Sequence, residues 1–304
     1  MTEQWLSNTL LPAVLVAVVF LLVLWPTRHS GVRVLKNWGV GSPTEEQARE
    51  AVRYLRHRRI LYVVLIIVLP PAAGLVLPDG DNAPANLFIP LLVAMLVAEL
   101  VATLRPVSGV RVASLDPRTW RDLLPRWATA VAAGLTVFAV AMAGLGLAAQ
   151  PWAQRYVDAL PPNDDDLFID PGYRAEMAGR GVSWLTLGSV ALCLAVVATL
   201  VHLAVRRPSS ADGVVDAALR TRTARVAVAI GFGWLGALVN DAQQRLSFLG
   251  NMGQGLPATP PRPGWLTQNL VDVTSIVALV TLVLAIVCWM WLAMPSRRSL
   301  AHAR

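Results

Sequence analysis

The sequence predicts an all-α protein, a polytopic transmembrane helical bundle of about seven spans with its N-terminus outside and its C-terminus in the cytoplasm. Hydrophobic residues make up 55% of the 304 and charged residues only 15%, which leaves too few polar side chains to cover a soluble globule of this size. Seven apolar stretches approach the length that crosses a bilayer, and basic residues cluster in alternate connections between them.

A spanning helix needs about 20 mostly apolar residues to cross roughly 30 Å of hydrocarbon. The sixth stretch is short, because its uninterrupted apolar part runs only from Val226 to Val239, about 21 Å at about 1.5 Å per residue. It must therefore continue through the polar residues that follow or thin the bilayer. The predicted spans, in a single integral membrane domain covering 1–304, are 6–25, 60–77, 87–104, 127–147, 182–205, 226–249 and 270–294.

The basic residues determine the predicted orientation, because Lys and Arg are retained on the cytoplasmic side of short loops. The segments after the first, third, fifth and seventh spans hold 21 of the 26 basic residues. Positive charge confined to short connections also argues against nucleic-acid binding. Lys36 is the only lysine among many arginines, a composition typical of a high-GC bacterium, so we expect a plasma membrane protein.

The first cytoplasmic loop, 26–59, is predicted to contain a helix from about 43 to 59. Ser42 would be its N-cap, Pro43 its first residue, and Glu45 would complete a capping box. Its apolar residues recur at helical spacing, which is typical of a helix lying along the inner membrane surface. A solvated extension leading into the second span is the alternative. The arginines expected to contact anionic lipid or a cytoplasmic protein are Arg53, Arg56, Arg58 and Arg59.

The longest outer segment, 148–181, is predicted to be an acidic extracytoplasmic loop. It contains Asn163, three aspartates directly after it, and Asp170. Alternating carboxylates can bind calcium, but the Gly and the closing Glu of an EF-hand loop are missing at the required offsets. We therefore expect a solvated loop without a metal site.

An internal repeat follows the first and third spans. Residues 30–34 and 108–112 are both Ser-Gly-Val-Arg-Val, and each copy comes shortly after a proline. The pattern predicts a unit of one descending helix, a Pro/Gly turn, a basic stretch and one ascending helix. Chance identity over five common residues is the alternative.

Ionisable groups inside a bilayer are costly, so the few that occur are candidate ligand- or ion-binding residues. Glu99 in the third span and His202 in the fifth lie at similar depth and could pair or pass a proton. Alternatively, both side chains extend to the inner headgroups. A second group near the outer ends of the last two spans forms either a binding pocket or a helix end reaching water. Its members are Asn240, Asp241, Arg245 and Asp272.

The sequence points to no cofactor and no metal. Both cysteines fall inside apolar runs, the four histidines lie within the membrane or near the inner face, and no phosphate-binding Gly/Lys loop is present. The positions of the histidines disfavour an enzyme that hydrolyses a substrate at the outer face. The missing Gly/Lys loop disfavours an enzyme that hydrolyses nucleotides. The bilayer is the expected partner, with a membrane-complex partner or a second copy of the chain left open.

Three functions follow as hypotheses. The leading one is a non-enzymatic permease-like protein or the membrane subunit of a transport system, which rests on the helix count and the repeat. The first alternative is a signalling or scaffold protein that docks a cytoplasmic regulator through its basic loops. The second is an envelope enzyme that acts on a lipid-linked substrate through Asp164, Asp166 or Asp241.

Overall fold

The computed structural model describes residues 28–38, 40–76, 88–104, 119–160, 171–179, 182–206, 213–252 and 260–294. Helices are the only regular secondary structure among these residues. The first predicted span, the second copy of the repeat and the aspartates of the outer loop lie outside these residues. The described helices are α1 Arg28–Asn37, α2 Glu45–Val76, α3 Phe88–Leu104, α4 Trp120–Leu123, α5 Arg126–Asp158, α6 Pro171–Ala178, α7 Val182–Arg206, α8 Gly213–Asn251 and α9 Gln268–Ala293.

Four of these helices are long and apolar enough to cross a membrane: α5, α7, α9 and the Val215–Asn251 part of α8. The predicted all-helical membrane fold is confirmed at this level. Helices α7 and α9 begin and end within two residues of the predicted fifth and seventh spans. Helix α3 coincides with the predicted third span, although its apolar core, Leu91–Thr103, is shorter.

Helix α8 is the centre of the bundle. In its most apolar window 89% of the residues are buried, against 28% for α5 and for α7 and 17% for α9. Helices α3, α5, α7 and α9 all pack on it. The three less buried helices expose their apolar side chains on the outside of the bundle, as expected for surfaces that face lipid.

Glycines let α8 approach its neighbours closely. A Cβ atom on Gly236 would lie 2.8 Å from the Cβ of Ala285 on α9, and one on Gly233 would lie 2.8 Å from the Trp289 ring. Small residues at such contacts are the usual means by which membrane helices gain van der Waals packing, because lipid supplies no hydrophobic driving force between them.

The short sixth span is explained by the continuation of α8. The helix runs without a break through Asn240 and Arg245 and ends at Asn251. Its 39 residues correspond to about 58 Å at about 1.5 Å per residue. The hydropathy pattern identified only the middle of this helix, because the helix continues into polar residues at both ends.

Helix α2 is likewise longer than its predicted span. The helix begins at Glu45 and continues to Val76, so the interfacial helix predicted at 43–59 and the second span form one helix. The predicted capping box was displaced by two residues. The N-cap is Thr44, whose backbone N–H donates to Gln47 Oε1 (2.8 Å), while the Gln47 N–H donates to Thr44 Oγ1 (3.3 Å).

The first copy of the repeat lies within α1 and not in a turn. Gly31 faces α2, where an added Cβ would lie 2.7 Å from Val52 and 2.8 Å from the Ala48 carbonyl oxygen. Glycine at this position therefore allows α1 and α2 to pack closely. The apolar residues of the α2 segment face protein here, since Ala48 and Leu55 are 4% and 3% exposed.

We call the helical unit at the N-terminal end of α8 the headpiece; it consists of α1 with Trp38 and Val40 directly after it, residues 45–59 of α2 and residues 213–225 of α8. It has its own apolar core, to which all three parts contribute, and Arg225 lies over the Trp38 ring at 5.8 Å. Core members are Leu35, Trp38, Val40, Ala51, Val215, Ala218 and Leu219.

A second core lies at the opposite end of α8. Trp152 and Tyr156 of α5 pack there with Met177 of α6 and with the last turns of α8. The Trp152 indole donates to the Pro260 carbonyl at 3.3 Å, which ties Pro260 to α5. The predicted outer loop, 148–181, is therefore partly helical, since it includes the end of α5 and all of α6.

Candidate functional site

The most buried charges of the described residues form an ion pair between α2 and α3. The Arg58 guanidinium contacts the Glu99 carboxylate, and the two residues are 1% and 0% exposed. An arginine keeps its proton at any physiological pH, and a guanidinium in contact with a carboxyl group favours its ionised form, so the pair is ionic. Two ions removed from water at this depth are costly unless geometry and hydrogen bonds compensate each of them.

Hydroxyl groups around the ion pair supply a hydrogen bond to the Glu99 carboxylate and one to the Arg58 guanidinium. The Tyr62 hydroxyl donates to the Glu99 carboxylate, and Arg58 Nη1 donates to the Tyr54 hydroxyl at 2.7 Å. The Tyr54 and Thr223 hydroxyl oxygens are 3.1 Å apart, which extends the network to α8. We call Tyr54, Arg58, Tyr62, Glu99 and Thr223 the buried polar network; it joins three helices where the headpiece meets the bundle.

The network arises from regular spacing on α2. Tyr54, Arg58 and Tyr62 are each four residues apart and so lie on one helix face. The Arg58 guanidinium also lies 5.2 Å from the centre of the Tyr54 ring, within the range of a cation–π contact. This side of α2 is therefore ordered by contacts within the helix as well as by its partners on α3 and α8.

A second buried ion pair lies within the headpiece. Asp216 and Arg220 are one helical turn apart on α8, their charged groups approach to 2.6 Å, and each side chain is 4% exposed. Thr223 of the buried polar network follows within the next turn. The N-terminal part of α8 thus carries a line of buried polar residues toward α3.

His202 does not join Glu99. It is exposed on α7, whereas Glu99 is occupied by Arg58 and Tyr62. The expectation that both side chains extend to the headgroups is wrong for Glu99, because packing between α2 and α3 buries it.

The second predicted group is spread over separate surfaces. Asn240 and Asp241 are half-buried. Arg245 reaches α6, where it donates to the Met177 carbonyl at 3.0 Å, and Asp272 is exposed and accepts a bond from Gln268 at 3.1 Å.

Gln243, which the sequence did not single out, forms a polar link between α8 and α9. It is 5% exposed, and its amide nitrogen donates to Ser275 Oγ (2.6 Å) and to the Val271 carbonyl (3.2 Å).

The four predicted contact arginines divide by exposure. Arg53 and Arg56 are exposed and Arg59 is half-buried, while Arg58 lies inside the buried polar network. The prediction that Arg58 contacts lipid or a partner is corrected by this burial. Arg49, which was not singled out, is 62% exposed and pairs with Glu45 at 2.9 Å on the same helix.

The sequence held signals for several of these residues. The four-residue spacing of Tyr54, Arg58 and Tyr62 indicates one face, and the spacing of Asp216 and Arg220 indicates an intrahelical pair. Gln243 lies in the polar stretch that follows Val239, so no local pattern distinguished it from its polar neighbours. No spacing pattern shows which distant helix each of them meets.

The described residues contain no group of three or more His, Cys, Asp or Glu side chains that could hold a metal ion. A shallow depression of about 310 Å³ lies at the C-terminal end of α8, lined by Gln244, Ser247, Phe248, Asn251 and Met252. It is open to solvent and separate from the buried polar network.

Comparison with known proteins gives no relative. No protein-family model, no curated protein and no solved structure matches the chain.

Proposed function

We propose that the chain is a non-enzymatic membrane subunit of a larger assembly, such as a transport system, which docks a soluble acidic protein through its headpiece. The observation that carries the proposal is the headpiece itself. It has an apolar core of its own, it contains the N-terminal end of the central helix α8, and the Arg58–Glu99 pair ties it to the bundle.

We infer seven spans for this subunit. To the four long apolar helices we add α3, the apolar half of α2 and the stretch 6–25. From residue 60 to its end α2 has about 17 residues, and α3 has 17, about 26 Å each at about 1.5 Å per residue. A tilt-free crossing with modest local thinning accommodates this length.

We further infer that the headpiece end faces the cytoplasm. The segments predicted to follow the first and fifth spans meet in the headpiece. The segment after the third span joins them, because Arg225 Nε donates to the Leu123 carbonyl at 3.3 Å. These three connections carry most of the basic residues, and basic connections are retained inside.

The exposed arginines of α2 suit a protein partner better than a lipid. Arg49, Arg53 and Arg56 recur at i, i+4 and i+7, which places them on one helix face. Measured along the helix from residue 60, where the predicted hydrocarbon begins, Arg53 lies about 10 Å and Arg49 about 16 Å away. The headgroup layer is only about 5–7 Å thick on each side. An acidic protein surface can reach these two residues, and their charge would steer it.

Crosslinking in native membranes tests the proposal. A photoreactive amino acid at position 53 should crosslink to one soluble acidic protein, whereas the same group at position 155, exposed at the opposite end, should not. Replacing Arg49, Arg53 and Arg56 by Gln should abolish the crosslink from a neighbouring headpiece position, Lys36, without lowering membrane insertion. Equal crosslinking from 53 and 155, or an unchanged crosslink in the triple variant, contradicts docking through the headpiece.

A further inference from the structure

Two extended residues separate α4 from α5, and we call residues 119–127 the elbow. Helix α4 ends at Leu123, Leu124 and Pro125 are extended, and α5 begins at Arg126. Leu124 is 8% exposed and belongs to the bundle core. The Arg225 bond to the Leu123 carbonyl fixes the elbow to α8. The elbow is therefore a rigid part of the bundle surface.

The acidic residue of the elbow is engaged within α4. The Thr119 backbone N–H donates to the Asp122 carboxylate at 2.8 Å, and the Thr119 hydroxyl donates to it at 2.9 Å. The backbone bond first, and then the hydroxyl bond, lower the pKa of Asp122. Its carboxylate thus caps the helix through Oδ2 and stays ionised.

The cations of the elbow point outward beside two tryptophans. Arg121 and Arg126 are exposed, and Trp120 and Trp127 are 46% and 38% exposed. The Arg121 guanidinium lies 5.3 Å from the centre of the Trp120 ring. The Trp127 ring packs against Phe232 of α8 at a centroid distance of 6.4 Å, so one side of it is fixed to the bundle. Partly exposed tryptophans and exposed arginines in one short segment match the composition of a membrane interface.

We propose that the elbow is a binding site for the phosphate headgroup of an anionic phospholipid. Arg126 directly precedes the predicted start of a span, so both arginines lie at headgroup depth, unlike Arg49 and Arg53 of the headpiece. A guanidinium binds phosphate oxygens in a bidentate manner. The tryptophan rings occupy the boundary between headgroups and acyl chains. The site depends on α5 crossing the membrane and not on docking of a protein by the headpiece.

Lipid binding by the purified full-length chain tests the site. In detergent micelles, the dissociation constant of fluorescent phosphatidylglycerol is compared with that of fluorescent phosphatidylcholine. The variants are Arg121→Gln with Arg126→Gln, the same pair changed to Lys, and Arg155→Gln as an exposed control at the opposite end. Thermal melting checks that each variant folds, which surface substitutions of this kind leave intact.

Each arginine should contribute about fivefold to affinity for the anionic lipid. The double Gln variant should bind phosphatidylglycerol about 25-fold more weakly, with phosphatidylcholine unchanged. The double Lys variant should lose less, because it keeps the charge but not the fork geometry, and Arg155→Gln should bind as the wild type does. An unchanged affinity in the double Gln variant overturns the proposal, as does an equal loss for both lipids. Loss of a crosslinked acidic protein with unchanged lipid binding would reassign the elbow to a protein partner and also overturns it.

Discussion

Replacing Glu99 by Gln tests whether the Arg58–Glu99 pair lies in the protein interior or in water, because the loss of stability differs between the two cases. In Glu99→Gln the side chain keeps its shape and can still accept the Tyr62 hydroxyl, but the Arg58 charge loses its counter-ion. Removing one partner of a buried pair typically costs about 3–5 kcal/mol. Because Arg58 and Glu99 are 1% and 0% exposed, the full range applies. For a chain of this size that loss lowers the melting temperature by roughly 6–10 °C.

Restoring neutrality should recover the loss. In the double variant Glu99→Gln with Arg58→Met, no unpaired charge is left inside, and replacing a buried pair by uncharged side chains is often neutral or stabilising. The double variant should therefore melt above Glu99→Gln, a non-additive result that reports the coupling between the two positions. The measurement is thermal unfolding of the purified protein in detergent micelles.

The Glu45–Arg49 pair is the matched control. It has the same chemistry at 2.9 Å, but its side chains are 69% and 62% exposed, so Glu45→Gln should not change the melting temperature measurably. If Glu99→Gln melts like Glu45→Gln, the Arg58 charge is solvated and the reasoning fails. It also fails if the double variant melts no higher than Glu99→Gln.

Two glycine positions give further predictions, with Gly188 as their common control because an added Cβ there meets nothing within 4 Å. Gly236→Ala should destabilise the protein by about 1–3 kcal/mol, since its Cβ would lie 2.8 Å from that of Ala285; thermal melting measures the loss. Gly179→Ala should also lower the melting temperature, because Gly179 has φ of +53° and an added Cβ would clash with the Arg245 guanidinium. Gly188→Ala should be neutral or slightly stabilising in the same assay, and parity of all three variants would contradict the packing described for α8 and α6.

The ends of a membrane helix could be located from the sequence where the apolar stretch and the helix stop at the same residue. For α7 and α9 both changes occur at the same place, since a helix end and an arginine or a tryptophan mark the boundary. For α2 and α8 they do not, because the helix continues into polar surroundings. Hydropathy reports which solvent a residue prefers, and it does not report where the backbone hydrogen bonds stop. In the headpiece, only 43–59 was therefore predicted to be helical, whereas α1 and residues 213–225 of α8 were interpreted as loop.

The candidate site was predicted in part. Glu99 was singled out because a carboxylate inside a membrane-spanning helix is energetically costly and therefore usually has a function or a partner. Its partner Arg58 was assigned to the surface, since arginines before a span usually meet lipid headgroups. The contact between Arg58 and Glu99 depends on how α2 and α3 pack against each other. A single sequence does not show which distant helices pack together. The spacing of Tyr54 and Tyr62 around Arg58 was the available local signal.

Both proposals require that the bundle crosses the membrane, and the headpiece proposal also requires that the basic end faces the cytoplasm. Cysteine accessibility tests both requirements most directly. In a Cys288→Ser background, where Cys193 is buried, single cysteines replace Arg53 in the headpiece and Arg155 at the opposite end, both exposed. A membrane-impermeant maleimide added to intact cells should label position 155, and position 53 only after the membrane is opened. Labelling of position 53 in intact cells, or of both positions from the same side, would contradict a chain that crosses the bilayer with its basic headpiece inside.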